Sequence, residues 1–240
     1  MIADIDRARF LVAAARNAGR AALTESDSKA VLACFGLRSP RRAVLAPGEP
    51  ATPALAGFAP PYVLKVVAPS ILHKSEFGGV CLGLTDLAAL HTEIDAMARR
   101  LASHKIEGWL VEETIPPGVE MVLGGTIDPS FGPTVMAGLG GILVELFADV
   151  RFGICPITRG DAQRLLDGLR GVRLLRGWRG AARADEAGLL DALLCIGGEG
   201  GMMTVLADLV TELDVNPLIV SRHGAMAADA RILLRPHHAA

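Results

Sequence analysis

Residues 63–80 carry the densest grouping of side chains suited to phosphate chemistry in this chain. Val63-Leu64-Lys65-Val66-Val67 is an apolar, β-branched run with one lysine inside it. Pro69 breaks the run, and Lys74, Ser75, Gly78 and Gly79 follow before Val80 restarts a strand. An ammonium on an apolar strand is costly to bury unless an anion meets it. Ser75 offers a hydroxyl, and Gly78 and Gly79 offer backbone N–H groups that no side chain obstructs, so a strand–loop–strand unit of this composition suits a phosphate. The same pattern also fits a lysine salt-bridged on its strand ahead of an ordinary hairpin. Lysine usage bears on the choice. Among 24 Lys and Arg residues only Lys29, Lys65, Lys74 and Lys105 are lysine, and Lys65 and Lys74 fall close together. A compact, mobile ammonium does what arginine's planar fork does not.

Three further groups have chemistry in them. Asn216 and Asp229 sit on two terminal strands joined by a tight turn, and paired hard oxygen donors suit Mg²⁺, which keeps waters and shares phosphate oxygens. The plainer reading is a turn-forming Asn-Pro and a surface aspartate. Glu113 and Glu120 flank Pro116-Pro117-Gly118, where strand-end acceptors can meet an adenine amino group or ribose hydroxyls, or can simply be solvated. His73, one residue from Lys74, is either a nucleophile able to accept a phosphoryl group or a surface loop residue. His91, His104, His223, His237 and His238 read as surface residues.

The elements that must position these groups follow from periodicity and punctuation. The pattern predicts a helix from Ile5 to Ala18, ended by Gly19, and a second helix opened by the capping-box pattern Thr24-Glu25-Ser26-Asp27 and closed by Gly36. Residues 40–61, rich in Pro, Gly and Ala, read as an irregular connection. Strands are expected at 63–67, 80–84, 109–111, 120–124 and 134–137, with an amphipathic helix from Asp86 to His104. Gly138-Leu139-Gly140-Gly141 leads into a further apolar run, Ile142 to Leu146. Helices are expected at 158–170, 189–196 and 202–213, then strands at 214–220 and 227–233 around a turn at Arg222-His223-Gly224. Helices and strands mix without strict alternation, which favours α+β.

Composition removes several classes. With 51% hydrophobic and 21% charged residues the chain is globular, and no stretch is long and uncharged enough for a membrane span. Asp4, Asp6, Arg7 and Arg9 interrupt the start before a signal peptide's apolar core can form. A net charge of −2 and 4% aromatics leave no footprint for nucleic acid. Cys34, Cys81, Cys155 and Cys195 lack metal-site spacing and read as small buried hydrophobes in a reducing cytoplasm.

Taken together, the motifs resemble a known family. Val63-Leu64-Lys65 with Ile71 to Val80, Leu110-Val111-Glu112-Glu113, Asp128-Pro129-Ser130-Phe131-Gly132-Pro133, Gly138 to Glu145, and Asp214-Val215-Asn216-Pro217-Leu218 are similar, in one order from about Thr24 to Leu234, to the ATP-grasp portion of the NDP-forming acyl-CoA synthetases. The resemblance implies an ATP-grasp fold, two α+β subdomains enclosing a nucleotide, here placed at 24–105 and 106–240 after an N-terminal extension over 1–23. It implies ATP or ADP and Mg²⁺ as cofactors, and the reversible conversion of acyl-CoA, ADP and phosphate to acid, CoA and ATP through an acyl phosphate and a phosphohistidine. By similarity Lys65 holds nucleotide phosphates, and Lys74, Ser75, Gly78 and Gly79 line the phosphate loop. Glu113 and Glu120 meet adenosine, Asn216 and Asp229 bind Mg²⁺, Glu145 lies near the phosphates, and His73 relays the phosphoryl group. In this family CoA, the small carboxylic acid or acyl-CoA and the principal phosphohistidine belong to an α subunit or a fused portion, so a CoA-binding partner is expected. A non-catalytic ATP-binding assembly subunit and an autonomous ATP-grasp carboxylate–amine ligase are the alternatives. The proline-rich stretch 44–60 and the run Gly197 to Gly201 depart from the family's pattern.

Overall fold

A computed structural model describes residues 3–71, 73–141 and 148–236. The chain forms two compact units: Pro40–Ile115, one continuous piece, and Met1–Ser39 joined with Pro116–Ala240. The division therefore falls at 39/40 and 115/116, not at 23/24 and 105/106. The reason is strand pairing. Strand β4 (Gly108–Glu113) lies inside the sheet of the continuous unit, between β1 (Arg42–Leu45) and β2 (Tyr62–Val67). The second helix packs instead with the rest of the chain.

In the continuous unit the sheet order is β1-β4-β2-β3, with β3 at Val80–Leu84, and every pairing is antiparallel. Helix α3 (Ala51–Ala54) is a single turn. Helix α4 (Leu87–Arg100) starts at Asp86, whose carboxylate accepts from the Ala89 N–H, and buries Leu90 and Met97. Tyr62, Leu64, Val66, Trp109 and Val111, alternate residues on β2 and β4, meet α4's apolar residues in one core. Strand β1 and helix α3 occupy the stretch expected to be irregular.

In the discontinuous unit β5 (Val119–Asp128), β6 (Gly132–Leu139), β7 (Val150–Ile154), β8 (Val210–Ser221) and β10 (Arg231–Leu234) run in the order β10-β8-β5-β6-β7, and β9 (Gly224–Ala227) pairs with β8. The β5–β6 turn is fixed by Asp128, whose Oδ1 accepts from the N–H groups of Ser130 and Phe131 at 2.7 and 2.9 Å. Helices α1 (Ile5–Asn17), α2 (Glu25–Cys34), α5 (Arg159–Asp167) and α6 (Glu186–Gly197) contribute buried residues to the core of this unit, which includes Leu123, Leu193, Val215 and Ile232. Thr158 and Asp161 form the reciprocal capping box anticipated for α5.

Two expected elements change. The helix expected at 202–213 is only the single turn α7 (Met202–Val205), because Val210, Leu213 and Val215 turn inward on a strand that pairs with both β5 and β10. The strand expected at 227–233 splits into β9 and β10, and residues 228–230 fall between them, so Asp229 stands on a connection and not on a strand. Strand β7 was not expected. The run Ile142 to Leu146, with Glu145, lies outside the described residues, as do His237 and His238.

Candidate functional site

Alternation on β2 and β4 decides what faces Lys65. Lys65 pairs with Leu110 and Val63 with Glu112, so Lys65 and Glu112 share the face opposite the core, and Glu113, paired with Tyr62, is on the other. The Lys65 Nζ lies 2.9 Å from Glu112 Oε2, and both residues are buried. The lysine inside the apolar run is thus salt-bridged on its strand, as one of the two sequence readings had it. Its partner is Glu112, one residue before the Glu113 that the sequence motif singles out. The Glu113 carboxylate accepts instead from the Ala59 N–H at 2.9 Å and lies 4.0 Å from Arg41.

The loop after β2 carries His73, Lys74 and Ser75, with His73 and Ser75 exposed and Lys74 half-buried. It is held by its own backbone. Gly78 N–H donates to the Ser75 carbonyl at 3.1 Å, and Gly79 N–H to the Lys74 carbonyl at 2.7 Å. The amides expected to stand free are therefore bonded within the loop. Glycine is required at both places: Gly78 has a φ of +65°, and a Cβ on Gly79 would stand 2.6 Å from Val66 Cγ1. From α4, Arg100 donates to the Gly78 carbonyl through Nη2 at 2.6 Å and Nε at 3.1 Å, and pairs with Glu93 at 3.0 Å. The His104 ring meets Phe77 edge-on at 5.5 Å, and its Nδ1 is 3.1 Å from Ser70 Oγ. Arg100 is the loop's anchor, and helical spacing alone does not point an arginine at a loop carbonyl.

In the other unit, β8 carries a bulge where its partner advances only from Leu123 to Met121 while it advances from Val215 to Leu218. The bulge holds Asn216, exposed, and the cis bond Asn216–Pro217. Beside it the chain crosses from β9 to β10: the Ala228 N–H donates to the Pro217 carbonyl at 3.0 Å, and Asp229 Oδ1 accepts from the Ala230 N–H at 2.7 Å. The structure thus brings residues 216–217 and 228–229 together, as the sequence suggested, though by a crossing segment and not by two paired strands. Asp214, two residues before Asn216, enters the sequence reading only as part of the motif around Asn216. Burial holds its carboxyl above the usual range, Arg231 opposes that, and the charges of Asp229 and Glu212 add to it. Its position two residues along the strand was the available signal.

This donor set fits Mg²⁺. An amide oxygen and a carboxylate stand in a neighbourhood where further negative charge is already disfavoured, which a hard cation relieves. Among the described residues there is no group of three or more His, Cys, Asp or Glu side chains that could hold a metal ion, so an ion held by Asn216 and Asp229 would draw its remaining oxygens from water and phosphate.

Glu120 is exposed on β5, opposite Ile219 of β8. Its carbonyl accepts from the Gly140 N–H at 2.7 Å, and its Oε2 lies 2.5 Å from where a Cβ on Gly141 would be. The glycine cluster ending β6 is thus a close approach of backbone to β5 and its glutamate.

With this geometry established, comparison with known proteins gives the class. A family model described as an ATP-grasp domain matches residues 14–234. The β subunit of the ADP-forming acetate–CoA ligase II of Pyrococcus furiosus is 35% identical over 223 residues, covering 90% of this chain and 93% of that one. The ADP-forming acetate–CoA ligase I of Archaeoglobus fulgidus is 39% identical over 177 residues, but those cover 72% of this chain and only 25% of the relative. A structure of the dinucleotide-forming acetyl-coenzyme A synthetase 1 of Ca. Korarchaeum cryptofilum with coenzyme A and Ca-AMPCP is 36% identical, covers 95% of this chain and 100% of its matched chain, and superimposes with a TM-score of 0.88. A second structure of that synthetase, with coenzyme A and Mg-AMPPCP, has a phosphohistidine segment pointing towards its nucleotide binding site, with 34% identity and a TM-score of 0.83. The chain belongs to the ATP-grasp family, and within it to the β subunits of the ADP-forming acyl-CoA ligases.

Proposed function

We propose that this chain is the nucleotide-handling subunit of an ADP-forming acyl-CoA ligase, interconverting acyl-CoA, ADP and phosphate with a carboxylic acid, CoA and ATP. The observation that carries the reading is the match along nearly the whole of a separate β subunit. On this reading CoA and the acid are bound by an α-type partner that also carries the principal phosphohistidine, and this chain exchanges the phosphoryl group between that histidine and ADP.

Lys65, set by Glu112 in advance of any ligand, supplies an ammonium donor for the nucleotide phosphates. The anchored loop presents Lys74, Ser75 and His73 to the same group, with His73 as the relay. Glu120 keeps an exposed carboxylate for adenosine's donors, whereas that of Glu113 is already engaged by Ala59. Asn216 and Asp229 would hold Mg²⁺, which when bound neutralises phosphate charge. Phosphoryl transfer leaves a protein little covalent work beyond positioning and neutralising charge, and these side chains are of the types that do so.

Reconstitution is the test. With a CoA-binding α partner, acetate, CoA and Mg·ATP, the expected result is acetyl-CoA with one ADP and one phosphate released per turnover. His73→Ala is expected to abolish turnover and leave Mg·ATP binding intact. Nucleotide binding without turnover in the reconstituted complex would instead make the chain a binding subunit, and turnover with an amine acceptor in the absence of CoA and partner would make it an autonomous ligase.

A further inference from the structure

Lys29 is fully buried on α2, and neither the phosphate loop nor the nucleotide reading uses it. Its Nζ pairs with Glu25 Oε1 at 2.8 Å, one helical turn away, with the glutamate side chain 4% exposed. It also donates to the Ala228 carbonyl at 2.6 Å. An ion pair sealed from water gains little stability over apolar side chains of the same size, so the pair is not there for stability alone. What it supplies is a donor with a fixed position. Ala228 is where the chain leaves β9 and has not yet joined β10. Its N–H goes to the Pro217 carbonyl at 3.0 Å and its carbonyl to Lys29. Pro217 follows Asn216, and Asp229 follows Ala228. One peptide segment therefore ties the two oxygen ligands together, and the buried ammonium pins that segment to α2.

We infer that Lys29, oriented by Glu25, is a positioning residue that holds Asn216 and Asp229 at the spacing a divalent cation needs. This rests on the assignment of those two residues to Mg²⁺. Lys29 touches neither cation nor nucleotide on this account; it acts through the Ala228 carbonyl. Because Glu25 neutralises it, it fixes geometry without adding net positive charge beside a cation site.

The test uses the full-length chain and Mn²⁺ as a paramagnetic substitute for Mg²⁺. Water-proton relaxation reports protein-held Mn²⁺ in the presence of a non-hydrolysable ATP analogue, and binding of the analogue in EDTA is measured alongside. Lys29→Met alone leaves Glu25 buried without its ammonium, so the double variant Glu25→Gln with Lys29→Met is made as well, to remove both charges and keep the volume. The double variant is expected to fold, to bind the metal-free analogue like wild type and to hold Mn²⁺ about tenfold more weakly. Wild-type Mn²⁺ affinity in the double variant, with Asn216→Ala and Asp229→Ala both impaired, overturns the positioning role and leaves the metal assignment standing. Equal losses for Mn²⁺ and for the metal-free analogue also overturn it, since that marks a general loosening. If Asn216→Ala and Asp229→Ala hold Mn²⁺ like wild type, the metal assignment fails and the inference falls with it.

Discussion

Two of the four lysines, Lys29 and Lys65, are buried, and each is met by a glutamate carboxylate within 2.9 Å. For Lys65 the pair separates two effects that a single substitution confuses. Lys65→Met takes from a buried Glu112 the ammonium it meets, at a cost of roughly 3–5 kcal/mol of stability. The double variant Lys65→Met with Glu112→Gln removes both charges of the pair, so it is expected to melt close to wild type. Calorimetric titration is nonetheless expected to show Mg·ATP binding at least about tenfold weaker, roughly 1.4 kcal/mol. Asn216→Ala should lower the same affinity without touching either lysine pair. How much of this was legible depended on what a residue type betrays by itself. A lysine in an apolar run announces a buried charge, and an Asn-Pro near a terminal turn announces a donor. Neither says which neighbour answers it. Glu112 and Glu113 are equivalent by composition, and only the register Val63 to Glu112 chooses between them. Likewise, the glycines at 78 and 79 were recognisable as a loop, but not the inward hydrogen bonds that occupy their amides.

At the level of elements, the phosphate loop depends on a close approach to β2. Gly79→Ala would drive a methyl group into Val66 Cγ1, a core contact, and is expected to cost about 1–3 kcal/mol, measured by chemical denaturation. Helices α5 and α6 are joined by a different device. Arg176 grips Glu186 with two bonds at 2.8 and 3.0 Å, bonds Asp167 as well, and Gln163 adds a third contact to Glu186 at 2.8 Å. These bonds, the arginine's first, hold the Glu186 carboxyl down at about 2 from its ordinary 4.5. A depressed carboxylate contributes stability above its unfolded value and loses it as pH falls towards the folded one. Glu186→Gln is therefore expected to cost about 1 kcal/mol at neutral pH, given the partial exposure of Arg176. The difference from wild type should shrink between about pH 4.5 and 2, read from urea midpoints along that range. Caps made helix starts legible: Thr24, Asp86 and Thr158 each begin a helix where expected. Strand β7 escaped because it is an edge strand showing Phe152 and Ile154 to the outside, against the usual inward pattern. Residues 210–213 read as helix because the start of β8 lacks strict alternation, and only pairing with β5 and β10 makes it a strand.

For the whole molecule the governing fact is that each unit has its own core. Leu64→Ala, in the continuous unit, and Leu193→Ala, in the other, each remove a fully buried side chain and are expected to cost about 2–5 kcal/mol. Hydrogen exchange should register the first as faster opening of amides within 40–115 and the second as faster opening outside that range. That the chain is α+β was legible from the mixture of patterns. That one unit is sewn from both ends was not, because no local signal says that Ala22 will bridge to Leu233 or that the Leu23 N–H will donate to the Ile232 carbonyl. This stitching sets a timetable for the ribosome. Residues 40–115 have every strand of their sheet as soon as β4 has been made, whereas α2 must wait for the last strand. At roughly 5–20 residues per second, about 200 residues of further synthesis leave α2 without β10 for about 10–40 seconds. Through that interval Lys29 and Glu25 stay in water, before the Ala228 carbonyl exists. Soluble in waiting and sealed on arrival, a lysine here suits vectorial synthesis better than the leucine a finished core would accept.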